Sequence, residues 1–472
     1  MTNDLMLLLP LIIVGAGAIV LMLSSAYKSI TNDMAAYGSA FIFAAAFLAQ
    51  LSFCIKGNAI LFSDTFNGIL VVNSFSKGAG LIILACGLFT ALSSQTYFKQ
   101  NDFCSPEYYS LTVFAASGML LLTMAQELIT VFIALETMSL AIYVLVGYDR
   151  KNVISSEAVL KYLMLGAFAG AFFTMGSAFV YGQTGTTQFV KIGQYVTAHG
   201  YLQSPALIGG SFFILVAFLF KAAAFPFHAW VVDVYDGASV PITGYMATGL
   251  KTAVFAVFAN YLVVDQQLHS GWMTFLFYVS VLTMFAGNLI AIGQQSLKRM
   301  LAASGIVHSG YLLIALVAVS TQQFSGAVIA YYLAAYAAST LGIFSALSYL
   351  GGKGEKRATF DDFKGLAKVR PYSAAAISIF LLSMAGIPPT AGFMGKFYII
   401  TSAIDAGQMT LAVLGIISSI ISMWYYLRLI INMYFYEAEE SFGDNVASNI
   451  APACTFILAV CVFAISLYPV AI

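Results

Sequence analysis

Charge is scarce in this sequence. Asp, Glu, Lys and Arg make up 8% of its 472 residues, against about 25% in a soluble domain. With 61% of the residues hydrophobic, a soluble chain of this length has nowhere to hide its apolar surface. An excess of either sign is missing too, since 20 Lys and Arg balance 20 Asp and Glu; this excludes the electrostatic footprint of a nucleic-acid binder. Cysteine is sparse. Cys54, Cys86, Cys104, Cys454 and Cys461 form no CxxC and no His-paired spacing, which excludes a disulfide framework, a zinc site and an iron–sulfur site. There is no GxGxxG after a strand, no Walker loop and no nucleophile elbow. Two histidines, His228 and His308, lie in or beside apolar runs, but nothing around them supports haem ligation. The opening MTND lacks a basic n-region, so the run from Leu5 to Leu23 reads as a first membrane helix rather than a cleaved signal.

What the sequence has is long apolar runs. Fourteen are read, at 5–24, 34–54, 74–96, 109–125, 128–147, 158–181, 206–225, 239–263, 272–292, 300–319, 324–349, 372–403, 410–432 and 451–471. They are long and unalternating, so the fold class is an all-α polytopic membrane protein with about fourteen transmembrane helices, not a barrel. Residues 1–472 are expected to form a single transmembrane domain. Two runs are interrupted. The seventh, FLFKAAAFPFHAWVVDVYDGASVP, carries Lys221 and then Pro226, which removes a backbone donor and breaks or kinks the helix. The twelfth carries AGIPPTAGFMGKF, with two prolines and three glycines. A lysine at mid-membrane costs about 2.5–3.5 kcal/mol on insertion scales. A broken helix at that depth is tolerated only where protein or trapped water covers the freed backbone. The two costs together point to polar cavities inside the membrane.

Basic residues set the orientation. Odd-numbered loops carry Lys28, Lys99, Arg150, Lys151, Lys298, Arg299, Lys353, Lys356, Arg357, Lys364, Lys368, Arg370 and Arg428; even-numbered loops carry only Lys56, Lys77 and Lys191. The odd loops are therefore expected to be cytoplasmic and both termini to face the other side. Segments four to eight (109–263) and nine to thirteen (272–432) form two blocks of five, each with its broken helix in fourth place. An odd number of helices per block reverses orientation, the mark of an inverted repeat. Lys221 precedes its break and Lys396 follows its own, so both fall on the non-cytoplasmic side. Residues 55–73 read as a short hairpin or surface helix, the loop from Gly351 to Arg370 as an amphipathic element on the cytoplasmic face, and EAEESFGD as a solvated acidic loop.

The candidate chemistry lies in the charges left inside the segments. Glu136 is either a protonated side chain bonded to a neighbouring carbonyl or a proton-relay carboxylate whose partner is Lys221. Lys221 and Lys251 are either fixed structural ion pairs or proton carriers; burial disfavours a lysine's charged form and a nearby carboxylate restores it, so a lysine between the two changes protonation when its partner moves. Lys396 is either a helix-end lysine reaching water or a further station. His308, beside Ser304 and Ser309, suits proton transfer or a satisfied core position. Glu157 and Lys161 are spaced i, i+4 with Glu first, an interfacial pair or a point of proton entry. His228 lies past the first break, Asp233 and Asp236 read as loop-capping groups, and His199 and His269 are given no role. The chain is built to move a charge rather than to transform a substrate.

Two stretches carry a resemblance. FKAAAFPFHAWVVDVYDGASVPITGYMATGLK and LLSMAGIPPTAGFMGKFYI resemble the antiporter-like membrane subunits of respiratory complex I, over essentially the whole chain, and DVYDGAS most resembles the subunit N branch. The resemblance implies two inverted five-helix repeats with broken helices seven and twelve. It implies a proton relay of Glu136, Lys221, Lys251, His308 and Lys396, with Glu157, Lys161 and His228 secondary. VVDVYDGAS departs from the common pattern of Pro before the first Asp and Gln for the second. The implied activity is proton translocation within a bacterial NADH:quinone oxidoreductase, coupled to quinone reduction. NADH, FMN, iron–sulfur clusters and quinone are bound by partner subunits, with no cofactor or metal in this chain. Expected partners are the neighbouring antiporter-like subunit M, the small subunit K and the lipid bilayer; the expected location is the bacterial inner membrane. The alternative is a subunit of an Mrp-type cation/proton antiporter. A reading from another class is a membrane scaffold whose charges only hold helices together.

Overall fold

The computed structural model describes residues 6–27, 29–55, 68–101, 103–264, 266–319, 326–437, 442 and 448–468. Within them the chain is helical: α1 Leu9–Ser25, α2 Asn32–Ile55, α3 Ser74–Gln100, α4 Glu107–Met124, α5 Leu128–Val146, α6 Val153–Thr184 and the short α7 Phe189–His199. There follow α8 Pro205–Lys221, α9 Ala229–Gly237, α10 Val240–Leu262, α11 Gln266–Ile292 and α12 Leu297–Ala318. The rest are α13 Ala327–Leu350, α14 Pro371–Ala385, α15 Ala391–Asp405, α16 Met409–Phe435 and α17 Ile450–Ser466. Among the described residues, 9 helices are long and apolar enough to cross a membrane, and α1, α8, α14 and α17 are shorter apolar helices. Three isolated antiparallel bridges are the β pairing described: Leu70–Ala125, Glu127–Gln188 and Ser296–Thr359.

The apolar windows of α10 and α12 are wholly buried, whereas that of α6 is mostly exposed. That gradient follows from composition: an apolar face turned to lipid needs no partner, so only helices carrying polar side chains are forced inward. α12 packs on α9, α11, α15 and α16, and α13 on α3, α10, α14, α15 and α17. Glycines set the close approaches. A Cβ at Gly118 of α4 would lie 2.5 Å from the backbone nitrogen of Met138 on α5, so these two helices meet backbone to backbone. α7 buries Phe189, Ile192, Gly193 and Val196, the i, i+3, i+4, i+7 stripe of a helix lying on a surface.

Both interrupted runs are interrupted, but not where proline alone would stop them. α8 ends at Lys221, five positions before Pro226; Ala223 then takes a positive φ of 62°, and α9 begins at Ala229. Lys221 is thus a terminal residue of its helix, not an interior one. The twelfth run splits into α14 and α15 around Gly386, whose φ is 84°. The Phe225–Pro226 and Pro388–Pro389 bonds are cis.

The surface segments differ from their expectations in detail. Residues 56–67 lie outside the described residues, but 69–71 run antiparallel to 124–126 (Val71 N–H to Met124 O, 2.8 Å; Gln126 N–H to Ile69 O, 2.9 Å). The loop after α13 folds into tight turns, and its Phe360 and Phe363 are buried, with the Arg428 guanidinium 4.4 Å over the Phe360 ring. Its apolar side faces protein. In the acidic stretch, residues 438–441 and 443–447 lie outside the described residues, as do Lys28 and Lys56. Lys77 and Lys298, expected in loops, are in α3 and α12 and are buried.

Candidate functional site

The first break is sealed by side chains from neighbouring helices. The Trp230 indole donates to Phe220 O (3.1 Å), the Ser309 hydroxyl to Ala222 O (2.6 Å), and Thr283 Oγ1 accepts the Phe225 N–H (3.0 Å). Each bond supplies a partner that a continuous helix would have supplied itself, as irregular backbone at membrane depth requires.

Lys221, 4% exposed, crosses from the end of α8 to α5. Its Nζ donates to Ser139 Oγ at 2.7 Å and to the Tyr143 hydroxyl at 3.4 Å, and lies over the rings of Tyr143 and Tyr162 at 5.6 and 5.8 Å. Ser139 and Tyr143 stand three and seven positions after Glu136, so the three share one face of α5. Lys221 therefore docks one turn along from the carboxylate expected to pair with it, and among the described residues no direct ion pair joins the two. Two glycines of α6 shape this site: a Cβ at Gly166 would overlap the Tyr143 hydroxyl, and one at Gly170 would press within 3.2 Å of Glu136 Oε1.

Lys251 follows a π-helical turn, Met246–Leu250, a feature frequent at functional sites. It is 4% exposed. Its Nζ donates to the carbonyl of Gly305 on α12 and lies 5.0 Å over the Tyr336 ring. The same Gly305 carbonyl accepts the Ser309 hydroxyl at 3.2 Å. Ser309 thus touches both the first break, at Ala222, and the carbonyl that holds Lys251.

His308 is buried among tyrosines. Its Nδ1 is 2.7 Å from the Tyr332 hydroxyl and its Nε2 is 3.2 Å from that of Tyr426. Lys396, 5% exposed, donates to Ala385 O (3.0 Å) and Ser419 Oγ (2.9 Å), with its Nζ 5.0 Å over the Tyr311 ring. His308 and Lys396 line one cavity of about 10 Å³, with Ser339 and Ser383, about the room one water needs.

On the basic-loop side the structure assembles an ion-pair chain. Lys161 bonds Glu157 (2.6 Å) and Asp233 (2.9 Å), and Arg299 bonds Asp233 (3.2 Å) and Asp236 (3.4 Å). The expected i, i+4 pair is present. Asp233 and Asp236, read as loop caps, instead tie α6, α9 and α12 together through these charges. His228 stacks on Phe225 with ring centroids 5.3 Å apart. His269 is buried, its Nε2 3.0 Å from Leu316 O near the end of α12. Among the described residues no three His, Cys, Asp or Glu gather as a metal-binding group.

Sequence reasoning gave Ser309 only as a neighbour of His308 and missed the hydroxyls of Ser139, Tyr143, Tyr332, Ser419 and Tyr426. Ser139 and Tyr143 were within reach, since helical spacing from Glu136 marks them. The others come from different helices and carry no such signal.

Broken helices that hold buried lysines inside an all-helical apolar bundle define an integral membrane protein of the antiporter type. The family described as NADH:quinone oxidoreductase/Mrp antiporter, TM matches residues 125–422, which include both breaks and Lys221, Lys251 and Lys396. Similar proteins are NADH-quinone oxidoreductase subunit N of Trichlorobacter lovleyi (40% identical; 83% of this chain, 80% of that one) and of Chloroflexus aggregans (37%; 92% and 89%). A chain of respiratory complex I from Thermus thermophilus with bound aureothin superposes with a TM-score of 0.82 at 29% identity, covering 97% of each chain. A chain of the Mrp complex from Dietzia sp. DQ12-45-1b gives a TM-score of 0.83 at 19% identity, covering 99% and 95%, a likeness of fold. The chain belongs to the NADH-quinone oxidoreductase subunit N family.

Proposed function

We propose that this chain is the antiporter-like, proton-translocating membrane subunit of a bacterial NADH:quinone oxidoreductase, and that protons move along Glu136, Lys221, Lys251, His308 and Lys396 as quinone is reduced elsewhere in the complex. One observation carries the relay: among the described residues, Lys221, Lys251 and Lys396 are buried with hydroxyl and carbonyl oxygens as partners, and none has a carboxylate in contact. An ammonium clamped by a carboxylate is locked as an ion pair. One held by neutral oxygens keeps its hydrogen bonds yet is free to give up a proton to water or to a neighbour. Ser309 supports continuity between the first two lysines, and the small cavity between His308 and Lys396 supports it at the far end.

The finer architecture belongs to the same reading. About fourteen spans in two inverted blocks, 109–263 and 272–432, place Lys221 and Lys396 at equivalent breaks, with Lys251 passing protons from one block to the next. Odd loops face the cytoplasm and both termini the outside of the inner membrane. NADH, FMN, iron–sulfur clusters and quinone are held by partner subunits, and subunits M and K are the membrane neighbours. The identity of the relatives, 34–40% to subunit N, favours this over an Mrp-type antiporter.

Mild-detergent purification of the tagged chain, followed by proton uptake per electron in vesicles, tests the proposal. Co-purification of a quinone-reducing assembly and loss of proton uptake in assembled Lys251→Ala are expected. Full uptake by assembled Lys221→Ala and Lys251→Ala would overturn the relay. Sodium-driven proton exchange without quinone reduction would favour the Mrp reading.

A further inference from the structure

Lys221 meets two hydroxyls on α5, and they differ in what they can do. Ser139 Oγ accepts from Lys221 Nζ at 2.7 Å and gives its own hydrogen to Leu135 O, one turn back along α5, at 2.6 Å. Turning that hydrogen to the lysine would give up a bond made inside the helix, so Ser139 serves the lysine as an acceptor alone. Tyr143 also accepts from Nζ, at 3.4 Å. Among the described residues no carbonyl holds its hydrogen as Leu135 O holds that of Ser139, and a phenol both accepts and donates. Tyr162 offers Nζ its ring face at 5.8 Å, and among the described residues its buried hydroxyl makes no hydrogen bond.

The difference matters because the two forms of a lysine need different partners. An ammonium has three donors and no acceptor. After losing a proton the nitrogen keeps two hydrogens and gains a lone pair, and a buried polar group left without a partner is costly. Lys221 is 4% exposed, so its partners must come from the protein around it.

Tyr143 is seated for that role. Its ring meets Tyr162 edge to face, centroids 4.7 Å apart, and Tyr162 stacks on Trp230, also at 4.7 Å. Trp230 is tied to the first break by its bond to Phe220 O. The Tyr143 hydroxyl lies over Gly166, where a Cβ would overlap it. Tyr162, Gly166 and Gly170, four apart on one face of α6, thus meet Trp230, Tyr143 and Glu136 in turn.

We propose that Tyr143 is the reversible hydrogen-bond partner of Lys221: it accepts from the ammonium and donates to the amine, and Gly166 is the notch that keeps its hydroxyl within reach. The phenol keeps its proton throughout. When Lys221 passes a proton to the next carrier, the Tyr143 O–H turns to the new lone pair while Ser139 still accepts an amine hydrogen; when a proton returns, the O–H turns away. This rests on the proton-translocating reading above.

The test uses the assembled complex in vesicles, with assembly checked on a native gel. Tyr143→Phe keeps the ring and removes the O–H; proton uptake per electron is expected to fall severalfold. Gly166→Ala keeps Tyr143 but displaces its hydroxyl, the mobile end of the side chain, and is expected to cause a similar fall. The double variant should be no worse than Tyr143→Phe alone, because both changes act on one hydroxyl. A tyrosine that only fills space predicts full uptake by Tyr143→Phe, and a glycine needed only for helix packing predicts losses that compound in the double variant; either result would overturn the proposal. If Tyr143→Phe does not assemble, Gly166→Ala decides, and its full uptake overturns the assignment. If Lys221→Ala stops uptake while assembled Tyr143→Phe pumps fully, the role of Tyr143 alone fails; if both pump fully, the relay fails with it.

Discussion

Lys396 donates to the carbonyl oxygen of Ala385 at 3.0 Å: the lysine that follows the second break is held by a carbonyl that the break sets free. Lys221 at the first break has a different partner, the Ser139 hydroxyl on a separate helix. One lysine thus reads the state of its own helix break, and the other reads a neighbouring helix.

The Ala385 contact separates charge from relay. In the proposed relay Lys396 is the last station, so Lys396→Ala should stop proton uptake in vesicles holding the assembled complex. Lys396→Arg keeps the charge but does not readily release its proton, so it should fail nearly as badly as Ala. Assembly is checked on a native gel. Full pumping by the Arg variant would mean that the position needs only a fixed positive charge.

Lys221 donates to Ser139, one turn along α5 from Glu136, so in the proposed relay Glu136 would act on Lys221 through space rather than by contact. Glu136→Gln and Ser139→Ala should each reduce proton uptake, and Glu136→Asp should keep much of it, because a carboxylate's influence extends beyond contact where water is excluded. Undiminished uptake by both Glu136 variants would sever the link.

Gly386 is required twice over. Its φ is 84°, and a Cβ there would come within 2.9 Å of Lys396 Cδ. The left-handed conformation alone costs a residue with a Cβ about 1–2 kcal/mol, and the lysine must also move. Gly386→Ala is expected to lower both the thermal inactivation midpoint of the purified complex and its proton uptake. An unchanged midpoint would show that the break relaxes freely.

Arg299 bridges Asp233 and Asp236 at 3.2 and 3.4 Å, on groups that are about a third exposed. Each such pair contributes about 1 kcal/mol or less, and salt screens it. Arg299→Ala should therefore lower the inactivation midpoint at low ionic strength and do so less at high salt. A shift of equal size at both would assign the loss to packing of the arginine stem instead.

The helix breaks were legible because Pro226 and the Gly–Pro cluster are local signals, and local signals act on their own segment. The end of α8 at Lys221 was not, because Ala222 and Ala223 are ordinary helix formers; Trp230, Thr283 and Ser309 make the early exit tolerable, and they come from three other helices. Lys298 looked like a loop lysine for the same reason: its carboxylate, Glu355, is 57 positions away in sequence.

Composition and apolar run length by themselves determined that this chain is a helical membrane protein, since apolar surface on this scale is stable only in lipid or against itself. They also picked out the buried charges, because a Lys or Glu inside such a run is costly wherever it points. Which oxygen each charge finds was decided by the tertiary structure alone. Glu136 and Lys221 have the right types to pair, yet Lys221 meets Ser139. Asp233 joins Lys161 and Arg299 across two helices, and Glu355 reaches back over the bundle to Lys298. A hydrogen bond or ion pair forms over about 3 Å, and distances of that size between helices are set by glycine contacts and side-chain packing that no spacing in the chain encodes.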